Sequence, residues 1–374
     1  MLYQLPMKKM QTNWSNNHFL HIDKPLLWGL LALSFIGLVV LYSAGSQNLD
    51  LIARQVLRLS VGFGLMLLIA QIRVQKIVHW VPWLYLMGVL LLVMVLLVGD
   101  SSNGSQRWLN FGLFRFQPSE LMKLAVPMMV TWYLADRPLP PSYGRLLLAA
   151  IIIAVPLILV AKQPDLGTAA LIGASGIFVI LLSGISWRFV FGFLTLGALS
   201  MPVLWHYVLH EYQKIRVETF LNPEKYPLGA GYHIIQSKIA IGSGGLYGKG
   251  WLNGTQSHLQ FLPERTTDFV FAVYSEEFGL VGVLVLLCIY FWVLSRGMYI
   301  ALQAQDTFSR LLTGSLVLTF FVHIFANMGM VTGLLPVVGL PLPLISYGGT
   351  SVITLMIGFG VIMAVHTHRR LLFA

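Results

Sequence analysis

Ten long apolar segments constrain this chain more than any other feature of its sequence. A helix needs about 20 mainly apolar residues to cross a bilayer, and helices satisfy their own backbone hydrogen bonds in lipid. Here 57% of the 374 residues are hydrophobic and only 10% are charged, with a mean hydropathy of +0.76, whereas soluble domains carry about 25% charged residues. The sequence therefore predicts an all-α polytopic membrane protein and excludes an ordinary soluble enzyme. The ten predicted spans are 26–44, 51–70, 78–99, 118–134, 145–162, 166–184, 188–208, 269–295, 309–333 and 347–366.

Lysine and arginine residues in the short loops predict the orientation. If the N terminus is inside, the short cytoplasmic loops and tails carry a clear excess of cations, as the positive-inside rule requires. We therefore expect two cytoplasmic tails, 1–25 and 367–374, around a single membrane domain, 26–366. The large loop 209–268, between spans seven and eight, is expected on the outer side. The first span begins near Pro25, too deep and too long for a cleaved signal peptide.

Charge and cysteine content exclude several other classes of protein. The net charge of +10 reflects the orientation of the chain in the membrane and not nucleic-acid binding. The sequence has no basic stripe with interleaved aromatic residues, which nucleic-acid binding would require. The single cysteine, Cys288, lies in an apolar run, so there is no disulfide framework. His233 and His258 lack the spacing of a metal site, and no ligand cluster for a divalent ion is visible in the sequence.

The strongest candidate for a functional site is the stretch 261–279, where the large loop enters span eight. Charged residues near a membrane are costly and usually functional, although charges can also simply mark a helix end that has reached water. The carboxylates of this stretch are candidates for acid–base chemistry. Its charged residues are Glu264, Arg265, Asp268, Glu276 and Glu277.

Polar residues also collect in the segment 100–120, after span three. Gly104 and its serine and asparagine neighbours favour a turn. Trp108 could be a plain interfacial anchor, which is the commoner role for a membrane tryptophan. Glu120 and Lys123 are three residues apart and share one helix face. They form either a neutralising ion pair inside the bundle or part of a site that also shapes a cavity.

Three other outer segments carry unusual residues. The turn 162–168 contains Lys162 and Gln163 besides the residues a simple turn needs. In the large loop, isoleucines at 234, 235, 239 and 241 predict a short interfacial helix. The glycine-rich stretch after it lacks the ending of a nucleotide phosphate loop, although amides near Lys249 could meet phosphate oxygens. The apolar, non-helical loop 334–351 requires burial in protein or a cavity to line.

Several motifs in this order resemble the SEDS family (shape, elongation, division and sporulation), over about residues 24–370. Within the family, the chain resembles the elongation branch, which determines rod shape, more than the division branch, because of Arg265 and the short termini. The motifs are Gln106–Leu109, Phe116–Glu120, Gln163–Thr168, Pro227–Gly245, Phe261–Gly279 and Pro341–Gly349.

The resemblance implies a ten-span peptidoglycan glycosyltransferase on the outer face of the bacterial cytoplasmic membrane. Such an enzyme polymerises lipid II, the undecaprenyl-pyrophosphate-linked disaccharide pentapeptide, beside a class B penicillin-binding protein and other proteins of the elongation complex. Forming the glycan bond needs a base for a sugar hydroxyl, and a carboxylate suits this role, so Asp268 is the expected catalytic residue. The pyrophosphate needs cationic donors, and a divalent ion could assist it. The residues expected to bind substrate are Arg107, Trp108, Gln117, Glu120, Lys123, Gln163, Asp165, Lys238, Lys249, Glu264, Arg265, Ser346 and Tyr347.

Two alternatives remain open at this point. A lipid II flippase would place charges along a path through the membrane midplane, and Arg54, Arg58, Glu120 and Lys123 lie in or near spans. A scaffold without chemistry would leave the charged residues around Asp268 without a purpose. Only the enzyme would make a polymer from labelled lipid II.

Overall fold

The structure is a computed structural model of the chain. Most of the predicted seventh span, 188–208, most of both predicted tails and the side chain of His258 lie outside the described residues. The residues described are 21–102, 105–110, 115–186, scattered positions between 188 and 206, 211–225, 230–258, 262 and 264–367.

Within the described residues, nine long helices overlap nine of the ten predicted spans. The helices of the first half are α1 (Lys24–Ala44), α2 (Leu49–Ala70), α3 (Val74–Val98), α4 (Pro118–Ala135), α5 (Tyr143–Lys162) and α6 (Leu166–Leu182). Those of the second half are α7 (Glu211–Leu221), α8 (Ala230–Ser243), α9 (Thr255–His258), α10 (Val270–Leu302), α11 (Thr307–Thr332) and α12 (Thr350–Thr367). Seven described helices are long and apolar enough to cross a membrane, namely α1, α2, α3, α5, α10, α11 and α12.

Acidic residues fix the first turn of three of these helices. The carboxylates of Asp23, Asp165 and Asp306 each accept a hydrogen bond from a backbone N–H of the first turn of α1, α6 and α11, at 2.9, 3.2 and 2.8 Å respectively. An N-terminal cap of this kind satisfies an N–H that has no partner within the helix. These acids therefore set where the helices begin, and Asp165 has this structural role in addition to any contact with substrate.

A small antiparallel sheet follows α3, which corrects the all-α expectation. It consists of β1 (Asp100–Ser102), β2 (Ser105–Asn110) and β3 (Arg115–Phe116), in the order β1-β2-β3. The sequence did not predict it because the strands are short and rich in turn-forming residues, without the run of four to eight alternating residues that marks a strand. The sheet places Arg107 and Trp108 on its central strand, directly before α4.

The isoleucine-rich segment of the large loop is helix α8, as predicted, and Ile234 and Ala240 are buried against the bundle. The glycine-rich stretch after α8 pairs with α10 through backbone hydrogen bonds of 3.0 Å from Leu280 to Gly245 and from Val281 to Leu246. At this contact α10 is kinked at Gly279, where φ is 63°. A Cβ at Gly279 would lie 2.3 Å from the backbone nitrogen of Gly248, so only glycine fits.

A non-helical segment, residues 339–346, re-enters the bundle between α11 and α12. Its apolar side chains Leu342, Leu344 and Ile345 are buried, and its backbone packs on Gly37 of α1. Gly37 lies seven residues before the end of α1, which corresponds to a depth of about 10 Å at 1.5 Å per residue. Irregular backbone at this depth is enclosed by protein, as the sequence requires. We call residues 339–346 the re-entrant segment.

The opposite end of the bundle is closed by an ion cluster. The buried carboxylate of Asp23 accepts two hydrogen bonds from Arg296, at 2.7 and 3.1 Å, and His366 Nδ1 lies 3.0 Å away. Although burial raises the pKa of Asp23, the hydrogen bonds with His366 and Arg296 hold it well below its usual range. Arg296 was expected in a loop past the end of span eight, but it lies within α10. The cluster ties α1, α10 and α12 together.

Candidate functional site

Asp268 lies directly before α10, at the end of the bundle opposite the ion cluster of Asp23. Its backbone carbonyl accepts a hydrogen bond of 2.8 Å from Asn327 Nδ2. The turn that precedes it is closed by hydrogen bonds from the amides of Thr267 and Phe269 to the carbonyl of Glu264, at 3.1 and 3.3 Å. In the described part of the chain no hydrogen bond reaches the Asp268 carboxylate, which leaves it available to a substrate.

The surroundings of Asp268 make its carboxylate a stronger base than usual. Burial, together with the negative charge of Glu264, raises the pKa of Asp268 to about 6, although Arg216 and Arg107 oppose the shift. A pKa near the working pH suits a residue that takes up and releases a proton in each cycle. The same arrangement brings two cations close to this carboxylate.

Arg107 joins the sheet to the turn between α5 and α6. Its guanidinium donates a hydrogen bond of 2.8 Å to the carbonyl of Pro164 and lies 3.6 Å from the carboxylate of Asp165. Gln117 Nε2 donates to the same carboxylate at 3.2 Å. The structure therefore brings together Arg107, Gln117 and Asp165, with the partly exposed Trp108 beside Arg107 on β2.

Gln163 is placed differently from these neighbours. Its side chain is buried and donates a hydrogen bond of 3.1 Å to the carbonyl of Leu92 in α3. This contact ties the turn between α5 and α6 to the bundle, so Gln163 has a structural partner rather than a side chain free for substrate.

Ser346 and Tyr347 hold the stretch that carries Asp268. Ser346 Oγ donates to the carbonyl of Thr267 at 2.5 Å, and the amide of Tyr347 donates to the carbonyl of Thr266 at 2.8 Å. The guanidinium of Arg58 lies 4.4 Å from the centre of the Tyr347 ring. Ser346 of the re-entrant segment and Tyr347 directly after it therefore fix the backbone of the two residues before Asp268. Arg58 adds a cation at the same end of the bundle.

Lys249 has a carboxylate partner within the fold. Its Nζ lies 2.7 Å from Oε1 of Glu276, which is fully buried, and 2.7 Å from Thr255 Oγ1. Glu277 is also buried and accepts a hydrogen bond from Ser43. Both glutamates lie in the first turns of α10, where they serve contacts between elements rather than facing the carboxylate of Asp268.

The remaining predicted residues of the large loop differ in their exposure. Glu264 is exposed and accepts a hydrogen bond of 2.8 Å from Thr267 Oγ1. Arg265 donates to Ser46 Oγ at 2.8 Å. Lys238 is exposed on α8 and lies against Gly333, and no acidic partner of it occurs among the described residues. Lys238 is therefore the freest of the predicted cations.

Glu120 and Lys123 form an ion pair inside the bundle, as predicted, with 2.7 Å between Lys123 Nζ and Glu120 Oε1. Both residues are buried. They line a cavity of about 60 Å3 that also touches His323 and Ser351. His323 in turn hydrogen-bonds the carbonyl of Pro341 in the re-entrant segment. The pair thus shapes the interior beneath the candidate site rather than the site itself.

A much larger groove, of about 1300 Å3, lies beside this cavity, between α2, α3, α4 and α12. Its lining is mainly apolar, with Ile77 and Ile357 among its walls. Phe116 and Thr350 line it at the end where Asp268 lies, and Arg73 lines it at the opposite end. Its length and apolar character suit a long hydrocarbon chain.

In the described part of the chain, no three His, Cys, Asp or Glu side chains lie close enough together to hold a metal ion.

Two residues near Asp268 were not singled out from the sequence. Arg216 on α7 donates a hydrogen bond of 3.3 Å to the carbonyl of Val337, just before the re-entrant segment. Asn327 on α11 contacts the backbone of Asp268 itself. Arg216 was one of several mixed charges in a loop, whereas Asn327 is an amide in an apolar span and could have been noticed for its cost in lipid.

The chain is similar to several known proteins. The chain is 50% identical over 367 residues to peptidoglycan glycosyltransferase MrdB of Escherichia coli K12, covering 98% of each protein. It superimposes on a chain of a solved peptidoglycan synthase complex, which coordinates polymerization and crosslinking, with a TM-score of 0.82, 30% identity and coverage of 93% and 99%.

The rod shape determining protein RodA of Thermus thermophilus has the same fold, with a TM-score of 0.71, 30% identity and coverage of 93% of this chain and 98% of that one. This likeness and the relation to MrdB confirm the resemblance to the elongation branch. The family model of cell cycle proteins of the FtsW, RodA and SpoVE type matches residues 24–371. The chain therefore belongs to the FtsW/RodA/SpoVE family, which is the SEDS family that its sequence motifs resemble.

Proposed function

We propose that this protein is a peptidoglycan glycosyltransferase that polymerises lipid II during cell elongation, with Asp268 as the general base. The observation that carries the proposal is the Asp268 carboxylate, which is unpaired within the described residues and lies close to two arginines. Membership of a family with curated glycosyltransferases supports it. The proposed enzyme has ten spans and belongs to the bacterial inner membrane.

The reaction follows from the residues around Asp268. The carboxylate takes the proton of the acceptor sugar hydroxyl, and the hydroxyl oxygen forms a bond to the anomeric carbon of the donor. The bond from that carbon to the pyrophosphate breaks, and undecaprenyl pyrophosphate leaves. A single direct displacement inverts the anomeric centre and needs one base. Protonated Asp268 then returns its proton to water.

Cations at the outer end would stabilise the leaving group, because charge-assisted hydrogen bonds to phosphate oxygens are strong. Arg107, Arg216 and Lys238 are the three that suit this role. Arg107 and Arg216 bond backbone carbonyls with part of their guanidinium groups, and Lys238 is exposed. Lys249 is the weakest candidate, since it pairs with Glu276. The undecaprenyl chain would lie in the large groove.

The partner we propose is a class B penicillin-binding protein, which would crosslink the new strands. The similarity to a chain of a peptidoglycan synthase complex supports this choice. Purified protein with labelled lipid II in detergent should produce glycan strands on a gel, with and without the partner. If no polymer forms under either condition while the protein remains folded, the enzymatic proposal is wrong.

A lipid II flippase is the second candidate, because the large groove extends from one end of the bundle to the other. Proteoliposomes that contain labelled lipid II separate the two functions. A flippase would expose lipid II on both leaflets without making polymer, whereas the proposed enzyme makes polymer from the lipid II that reaches Asp268.

The orientation predicts which thiols an impermeant reagent can reach. With Cys288 replaced by serine, Ser257→Cys on α9 should react in intact spheroplasts, because it belongs to the proposed outer loop. Ser142→Cys, at the start of α5 on the opposite end, should react only after lysis. The reverse pattern would put Asp268 on the cytoplasmic side and remove the basis for extracytoplasmic polymerisation.

A further inference from the structure

Asn327 is a fully buried amide in the apolar helix α11. A polar side chain within a span normally faces protein and has a specific partner. Asn327 has two, because its Nδ2 donates to the carbonyl of Asp268 at 2.8 Å and to the carbonyl of Leu340 at 2.6 Å. One amide group therefore joins the residue that carries the proposed base to the re-entrant segment.

The contact with Leu340 places the re-entrant segment beside the carboxylate of Asp268. Leu340 follows Gly339, and a Cβ at Gly339 would lie 3.5 Å from Asp268 Oδ2. By fixing both carbonyls, Asn327 sets the distance between the backbone of Asp268 and the segment against which its carboxylate lies. Val337, two residues before Gly339, holds Arg216, so one of the nearby cations is tied to the same loop.

The chemistry of the asparagine side chain suits this position better than its alternatives. The amide NH2 has two donor hydrogens, which match two acceptor carbonyls. An aspartate of the same size would place a carboxylate against them, and leucine would leave two buried carbonyls without a donor, which is costly. Asparagine therefore satisfies both carbonyls at once and keeps the backbone of Asp268 aligned with the re-entrant segment.

We infer that Asn327 is a positioning residue for Asp268, holding its backbone against the re-entrant segment so that its carboxylate meets the acceptor hydroxyl. The inference rests on the proposed function of Asp268 as the base. A displacement of about 1 Å of a reacting group can lower the rate about 100-fold. Loss of Asn327 should therefore act on turnover rather than on substrate binding.

The test compares purified Asn327→Leu with Ser315→Ala in lipid II polymerisation, with initial rates measured over a range of substrate concentrations. Ser315 is the matched control, because it is fully buried in the same helix and its Oγ donates to the carbonyl of Ser175 at 2.6 Å, away from Asp268. Asn327→Leu should lower kcat about 100-fold with little change in KM. Ser315→Ala should lower thermal stability but keep the wild-type kcat.

Three outcomes would overturn the inference. One is a folded Asn327→Leu protein with wild-type kcat, and another is an equal loss of kcat in Ser315→Ala, which would indicate general destabilisation. If leucine prevents folding, Asn327→Ser is measured in its place, because serine is too short to reach both carbonyls. The third overturning outcome is a wild-type kcat in Asn327→Ser. Asp268→Asn is measured alongside. If it polymerises normally, the base assignment fails, whereas an inactive Asp268→Asn beside a fully active Asn327→Leu refutes only the positioning role.

Discussion

Asp268→Asn should give a folded protein that makes little or no glycan polymer and still binds its partner. Asparagine keeps the size of the side chain but cannot accept the proton, and a positioned acid–base group contributes about 10²–10⁴-fold in rate. Polymer formation from labelled lipid II measures the loss. The variant should melt no lower than the wild type, since the raised pKa of Asp268 means that its charged form is disfavoured in the fold.

The pH dependence provides a second measurement on the same residue. The pKa of Asp268 is raised to about 6, and the base works only when deprotonated. The rate should therefore be nearly full at pH 7 and should fall as the pH drops through about 6. Because the charge of Glu264 contributes to the shift, Glu264→Gln should move this acid limb to lower pH while keeping activity near neutrality.

Neighbouring carboxylates provide the controls for this assignment. Glu264→Gln, Glu276→Gln and Glu277→Gln are purified and checked for yield and monodispersity beside Asp268→Asn. Wild-type polymerisation by Asp268→Asn together with an inactive glutamine variant would move the role of base to that glutamate. Activity in all four variants would mean that the stretch 261–279 does not perform the chemistry.

Glu120→Ala should reduce the yield of folded protein severely and abolish most activity. The substitution removes one partner of a buried ion pair at 2.7 Å and leaves Lys123 without that partner inside the bundle. Breaking such a pair costs about 3–5 kcal/mol in soluble proteins. Thermal unfolding in detergent, measured together with polymer synthesis, tests both effects.

The double variant Glu120→Leu with Lys123→Met separates folding from chemistry. Replacing a buried pair by apolar residues of similar size is often neutral for stability, so this protein should fold better than Glu120→Ala. If it also polymerises lipid II normally, the pair serves only the fold and not the shape of the cavity. A normal yield and full activity of Glu120→Ala would contradict the importance of the pair altogether.

The sequence predicted most of the helices and part of the site, for a local physical reason. A long apolar run specifies a membrane helix by itself, so nine spans agree with described helices to within a few residues, apart from the C-terminal extension of α10 to Leu302. Glu120 and Lys123 pair because they are one helical turn apart, which spacing also reveals. Asp268 could be placed at the start of a helix for the same reason.

The contacts that the sequence did not predict are long-range and polar. Asn327 and Asp268 are 59 residues apart, and Lys249 and Glu276 are 27 apart, without any periodic pattern that links them. Lys249 was therefore assigned to substrate although it has a partner within the fold. The kink at Gly279 was missed because its cause, the close approach of Gly248, lies in another element.

The position of the re-entrant segment near the end of the chain bears on when during synthesis the protein becomes active. Its carbonyls accept hydrogen bonds from the side chains of Gln55 in α2, Tyr290 in α10 and Asn327 in α11. The segment directly precedes α12, which packs on α2. We expect the chain after this segment to be held in place only once α12 has packed on α2. We therefore expect a nascent chain to be inactive until α12 has inserted and packed on α2.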